Sequence, residues 1–205
     1  MRKFLILLIC FFVLSFDAVA KRDFAVFNEL RCDGKMCYDK ESDLPFSGEL
    51  RSFYDNGVVR ASIEYKNGLR DGASNFYYLN GNEKRQEVYI QGQIHGMLTE
   101  YYDNGNLKYE VSYDNGKLNG AFRAYYDDGQ LKIDEEYVDG KKEGRARKFS
   151  TTGDLRRDAF YSNGVLIKGD CIYSDGKRNP FTQKMIDAYN NEGIVPCDFE
   201  KLVTF

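Results

Sequence analysis

GMLTEYYDNGNLKYEVSYDNGKLN, residues 96–119, carries the fold of this chain in one segment. It holds two Asn-Gly pairs, Asn104-Gly105 and Asn115-Gly116. Such pairs favour two-residue type I′ turns, whose central residues both need positive φ. Between the turns Leu107, Tyr109, Val111 and Tyr113 alternate with Lys108, Glu110 and Ser112. Alternation with period two is the pattern of a half-buried strand. The segment therefore reads as two short strands and two turns, a β-hairpin that feeds directly into the next. Recurrent glycine and β-favouring rings argue against helix.

Outward from this segment the pattern returns every 24 residues. One glycine column is Gly48, Gly72, Gly96, Gly120 and Gly144. A second is Gly57, Gly81, Gly105, Gly129 and Gly153. A third is Gly68, Gly92, Gly116, Gly140 and Gly164. A fixed period of this length marks a repeat architecture. The expected fold is all-β: an elongated single-layer antiparallel sheet of β-hairpin repeats with a small C-terminal capping helix. Its ten repeat strands would run on the order of 45 Å at ~4.8 Å per strand. The expected divisions are a leader over 1–20, a cap hairpin over 21–47, five repeats over 48–167, and a C-terminal cap over 168–205.

Three further columns suggest how the units work. Phe53, Tyr77, Tyr101, Tyr125 and Phe149 follow the first glycine by five residues, and Arg60, Lys84, Lys108, Lys132 and Arg156 follow it by twelve. A two-residue turn at Asn104-Gly105 would set these columns opposite each other, ring against cation. The same register puts Tyr65, Tyr89, Tyr113, Tyr137 and Tyr161 on the other face, opposite the first glycine column. A glycine there lets a ring lie over bare backbone.

The ends differ from the repeats. Arg2 and Lys3, an apolar run from Phe4 to Phe16, and Ala18-Val19-Ala20 have the layout of a secretory signal peptide cleaved after Ala20. Ile9 beside Cys10 fits lipid processing of that cysteine poorly. Cleavage removes Arg2, Lys3 and Asp17 from 29 basic and 32 acidic residues, so the net charge moves from −3 to −4. A mildly acidic chain suits neither nucleic acid nor anionic membrane. Cys32, Cys37, Cys171 and Cys197 then remain, an even set in an exported chain, which points to disulfides. Of the possible connectivities, Cys32–Cys37 and Cys171–Cys197 are favoured, because each pair flanks one end of the repeats. Near the C-terminus, Asn179-Pro180 can start a helix with an apolar stripe of Phe181, Met185, Ile186 and Tyr189, ended by Gly193. Such a helix would cover the last strand edge.

The units resemble the bacterial variant of the MORN repeat. The resemblance rests on Tyr101-Tyr102-Asp103-Asn104-Gly105-Asn106-Leu107-Lys108, on Tyr113-Asp114-Asn115-Gly116 with Gly120, and on the lead-in Leu44-Pro45-Phe46-Ser47-Gly48. It spans residues 44–168. Glu83, in place of the usual Leu, and Thr151-Thr152-Gly153 depart from the pattern. The resemblance implies an elongated hairpin sheet without enzymatic activity, serving protein–protein or membrane association. Many bacterial members carry an antitoxin label, and a leader fits an immunity role outside the cytoplasm better than a cytoplasmic one.

No catalytic constellation stands out. His95 occupies a turn where other units carry Asp71, Asn119 or Glu143, so a solvated turn residue is expected rather than a general base. The Asp-Asn-Gly turns lack the oxygen string of a calcium loop; neither metal nor cofactor is expected. Glu110, Asp134 and Asp158 lie two residues beyond the basic column, which reads as an ion-paired, solvated surface. The expected function is a non-catalytic exported scaffold binding a protein along its sheet face. The candidate contacts are the ring column Phe53, Tyr77, Tyr101, Tyr125 and Phe149 and the basic column Arg60, Lys84, Lys108, Lys132 and Arg156. A cell-wall glycan module is an alternative, since rings repeating every two strands lie ~9.5 Å apart, although the chain has no tryptophan. An immunity-type protein binding a toxin outside the cytoplasm is another.

Overall fold

The computed structural model describes residues 24–193 and Cys197. The expected leader, with Cys10, lies outside the described residues. The chain opens with β1 (Phe24–Val26), a 3-10 turn (Phe27–Glu29), and the hairpin of β2 (Leu30–Asp33) and β3 (Met36–Asp39). Next come β4 (Gly48–Phe53), β5 (Val59–Lys66), β6 (Leu69–Tyr77), β7 (Glu83–Ile90) and the short β8 (Gln93–Ile94). Then follow β9 (Gly96–Tyr101), β10 (Leu107–Asp114), β11 (Lys117–Tyr125) and β12 (Leu131–Val138). The chain continues through β13 (Lys141–Phe149), β14 (Leu155–Ser162), β15 (Val165–Ile172) and β16 (Arg178–Pro180) to the helix α1 (Gln183–Glu192). All the strands except β2 and β3 join one 14-stranded sheet. β1 pairs with β4 in parallel, and the other neighbours are antiparallel and follow in chain order from β4. The all-β single sheet with one short C-terminal helix is the architecture that the repeat pattern predicts.

The second turn of each unit is type I′ as expected: Asn115 and Gly116 have φ of 47° and 80°. The first turn is not. Of Asn104-Gly105 only the glycine has positive φ, at 90°. Gly105 N–H donates to Tyr102 O at 3.0 Å, and Tyr102 N–H closes the loop on Asn106 O at 2.8 Å. This is a three-residue loop with a glycine bulge. Asn104 has another task there, since its Oδ1 accepts from Asn106 N–H at 2.9 Å.

The longer loop changes the register. Leu107, not Lys108, stands opposite Tyr101, and Lys108 falls at the irregularity before Tyr109. The expected facing of the ring and basic columns is therefore wrong. Lys84, Lys108 and Lys132 instead lie over the next ring along, Tyr78, Tyr102 and Tyr126, at 5.5, 5.8 and 5.2 Å. Beyond the irregularity the expected pairing returns. Tyr65, Tyr89, Tyr113, Tyr137 and Tyr161 stand opposite Gly48, Gly72, Gly96, Gly120 and Gly144.

Both long edges of the sheet are tied from unit to unit. On one edge the hydroxyls of Tyr54, Tyr78, Tyr102 and Tyr126 donate to the carbonyls of Tyr77, Tyr101, Tyr125 and Phe149, at 2.7–2.9 Å. On the other, Gly92, Gly116, Gly140 and Gly164 N–H donate to Arg70, Ile94, Leu118 and Lys142 carbonyls, at 2.7–2.9 Å. Tyr102→Phe keeps the ring and removes one such link. It should lower stability by about 1 kcal/mol, read as a shift in the urea midpoint; an unchanged midpoint would mean the hydroxyl row is idle.

Buried apolar side chains form two clusters, one at each end, with Leu98 and Val111 buried between them. Leu30, Cys37, Leu50, Ala61, Ile63 and Tyr65 form one cluster, with Ala25, Phe46 and Phe76 against it. Ala146, Ala159, Tyr161 and Leu166 form the other, beneath Phe181, Ile186 and Tyr189. Cys32–Cys37 and Cys171–Cys197 are both disulfide-bonded, as favoured. Helix α1 begins at Gln183 with Thr182 as its cap, whose side chain accepts from Met185 N–H at 3.3 Å. Asn179-Pro180 does not start it; both belong to β16. Gly193, at φ 72°, ends the helix as expected. The helix covers the strand edge through Asn190, whose amide accepts from Leu166 N–H at 3.0 Å and donates to Leu166 O at 3.1 Å.

Candidate functional site

The register divides the side chains between two faces. Gly96, Leu98 and Glu100 share one face with Tyr109, Val111 and Tyr113, and their counterparts in other units follow them. Leu50, Ile63, Leu98, Val111, Ala146 and Ala159, all buried, lie on this ring face.

The opposite face carries an alternating charge row. Arg123 contacts Glu110 and Asp134, each at 3.4 Å, and Asp134 also pairs with Arg147. Arg145 grips Asp158 through two bonds of 2.7 and 2.8 Å, and Arg178 contacts Asp158 at 3.5 Å and Asp170 at 3.3 Å. The acids expected beside the lysine column are ion-paired, but with arginines of neighbouring strands. The hydrogen bond from Arg145 holds Asp158 below the usual carboxylate range, against its burial and with help from Arg178. A depressed carboxylate contributes stability that is complete above the unfolded value, about pH 4, and is lost as pH falls through the lower folded value. Acid unfolding should thus be less steep in Asp158→Asn than in the parent chain below about pH 4. Identical pH profiles would show that the pair contributes nothing.

On the ring face a groove of about 580 Å³ opens across β4 to β9. Its walls include Leu50, Ile63, Tyr65 and Phe76, with Phe27 at the rim. Arg60, Arg70, Lys84 and Arg85 supply its positive charge, and Glu100 is the one carboxylate that lines it. Glu100 accepts from Lys108 Nζ at 2.9 Å and Tyr109 Oη at 2.7 Å. Burial opposes the charge of Glu100, but these two bonds prevail and hold its pKa low. Burial and the same carboxylate push Tyr109 up to about 12. Arg70 lies 5.3 Å over the Tyr89 ring, with its Nη1 3.4 Å from that hydroxyl. Burial works against its charge, yet the hydroxyls of Tyr65 and Tyr89 leave its pKa raised.

Of the ten candidate contacts, this groove brings together Tyr77, Arg60 and Lys84. The others do not form one row. Phe53 stacks on Phe24 at 5.8 Å, Tyr125 Oη bonds Glu110 at 3.1 Å, and Phe149 lies 5.7 Å beneath Arg147. The carbonyl of Tyr101 takes the Tyr78 hydroxyl. Lys108 turns to Glu100, Lys132 to the Tyr126 ring, and Arg156 reaches Asp154 at 3.5 Å. Sequence reasoning missed Arg70, Arg85 and Tyr54. Arg70 was visible as an exception, because its column otherwise reads Ile94, Leu118, Lys142 and Leu166. The row of Tyr54, Tyr78, Tyr102 and Tyr126 was visible at the 24-residue period. His95, 43% exposed along its side chain, has Nδ1 3.3 Å from Asp114 Oδ1.

Comparison with known proteins agrees with this geometry. The family model described as "MORN repeat variant" matches residues 46–67, 94–115 and 118–139. These segments fall on the hairpins β4–β5, β9–β10 and β11–β12. No curated protein matches the chain. Among solved structures, the chain is similar to one described as the GtfA/B complex bound to UDP and GlcNAc. The identity is 18% over 67% of this chain, with a TM-score of 0.22. The match spans 24% of that chain's length. Three of the hairpin units thus match the MORN repeat variant, and stacked repeats of this kind form an architecture suited to binding.

Proposed function

We propose that this chain is a non-catalytic scaffold that works outside the cytoplasm and binds a protein partner along its ring face. The observation that carries this reading is the groove between β4 and β9. It joins apolar walls to charged groups on the same face whose far end lies beneath α1. Two disulfides support the extracytoplasmic setting. Among the described residues no helix is long and apolar enough to cross a membrane. A glycan platform has less support, because three rings of its expected column, Phe53, Tyr125 and Phe149, are engaged by Phe24, Glu110 and Arg147 rather than bare. An immunity-type role is a special case of protein binding in which the partner is a toxin.

A photo-crosslinking residue at Ser52, in the groove wall, followed by mass spectrometry from the source cell, tests the reading. Reproducible capture of one protein is expected. Capture of no macromolecule, or of glycan alone, would overturn it.

A further inference from the structure

The groove is basic although the chain is acidic overall, at a net charge of −3. Its cations are also poorly matched from within. Arg85 faces Glu87 at 2.6 Å, and Glu100 is occupied by Lys108 and Tyr109. Arg60, Arg70 and Lys84 have no carboxylate partner among the described residues. Arg70 is partly withdrawn from water, and its charge meets only ring and hydroxyl. Neutral hydroxyls stabilise a guanidinium less than a carboxylate does, so an anion arriving beside it adds a charge-assisted bond that the groove itself does not supply.

From this arrangement we infer that the groove binds an extended acidic peptide segment of a partner protein, its carboxylates on Arg60, Arg70 and Lys84 and an apolar side chain between Leu50, Ile63 and Phe76. The inference rests on the protein-scaffold reading and narrows it to one site and one partner chemistry. The dimensions agree. The groove crosses β4, β5, β6, β7 and β9, which is roughly 19 Å at ~4.8 Å per strand, the length of about five or six extended residues at ~3.4 Å each. Charge complementarity of this kind raises association rates and excludes basic competitors. Arg60 and Lys84 belong to a column that continues as Lys108, Lys132 and Arg156, but the two arginines beside it stay local. At the Arg85 position the next two units carry Tyr109 and Ile133, and at the Arg70 position they carry Ile94 and Leu118. A long polyanion would need all of these rows to continue, and Lys108 of the continuing row is already paired with Glu100.

The test uses the full chain and a labelled hexapeptide alternating glutamate with tyrosine and leucine, followed by fluorescence anisotropy at low and high salt. The peptide is expected to bind, to weaken as salt rises, and to lose at least about tenfold in affinity in Arg70→Gln. Because Arg70 touches Tyr89, Arg60→Gln is the second variant. Arg60 makes no ion pair in the described structure, and its loss should weaken binding by about threefold. A lysine-for-glutamate peptide should not bind. Failure of the acidic peptide to bind, or equal binding by both folded variants, would overturn the site. So would Arg70-dependent retention of polygalacturonate or anionic vesicles without the peptide. Capture of one protein by a probe elsewhere on the ring face, with none at Ser52, would remove this groove and leave the scaffold standing. Peptide binding that needs Arg70 would uphold the groove even if cellular capture failed.

Discussion

Leu166→Ala should destabilise the C-terminal end of the sheet by about 3 kcal/mol. Leu166 is 1% exposed, and its cluster joins β13, β14 and β15 to the helix through Ala146, Ala159, Tyr161, Phe181, Ile186 and Tyr189. Truncation removes apolar contact and leaves a cavity, because neither the sheet nor the disulfide-tied cap can collapse freely into it. Each unit touches mainly its neighbours, so the loss should be local. Hydrogen exchange should accelerate in β14, β15, β16 and α1 while β9, β10 and β11 stay protected. Uniform acceleration along the whole sheet would contradict this picture of nearest-neighbour stability.

Gly169→Ala should be comparably severe, at about 3 kcal/mol, for the opposite reason. Gly169 stands opposite Ala159, which is 0% exposed, and its carbonyl accepts from Phe181 N–H at 2.8 Å. An added Cβ would lie 2.6 Å from Asp158 O and 2.9 Å from Ala159 Cα, and would collide with the Phe181 ring. Two of these neighbours are backbone atoms of the paired strand, so no side-chain rotation relieves the clash. The urea midpoint should fall and α1 should lose exchange protection first. A variant as stable as the parent would mean that β14 and β15 separate more easily than the close packing here implies.

Strands, the second turn and the presence of a cap at each end were legible because each depends on one period and a few residue types. The five tyrosines opposite glycine follow from counting alone. The first turn was not legible, and the reason is specific. Tyr102-Asp103-Asn104-Gly105 and Tyr113-Asp114-Asn115-Gly116 are the same four residues, yet they fold as different turns. In the first, Asn104 accepts from Asn106 N–H; in the second, Asn115 itself takes positive φ. What separates them lies outside the tetrapeptide, in the register of the flanking strands rather than in the residue that follows, since Val58 and Val165 follow turns of the two kinds. The extra loop residue then moved every lysine of the basic column one ring along. The groove was hidden for another reason. Reading columns for what they share passes over Arg70, whose meaning lies in departing from an otherwise mostly apolar position.

The tyrosine hydroxyl row has an implication for how such chains change size. Each hydroxyl grips the backbone of the very next module, never one farther away. Ser150 then replaces the ring in the final module and terminates the series. An internal duplication or excision of one complete period would leave no grip unmet. The length of the array is thereby uncoupled from its two ends, each closed by its own disulfide.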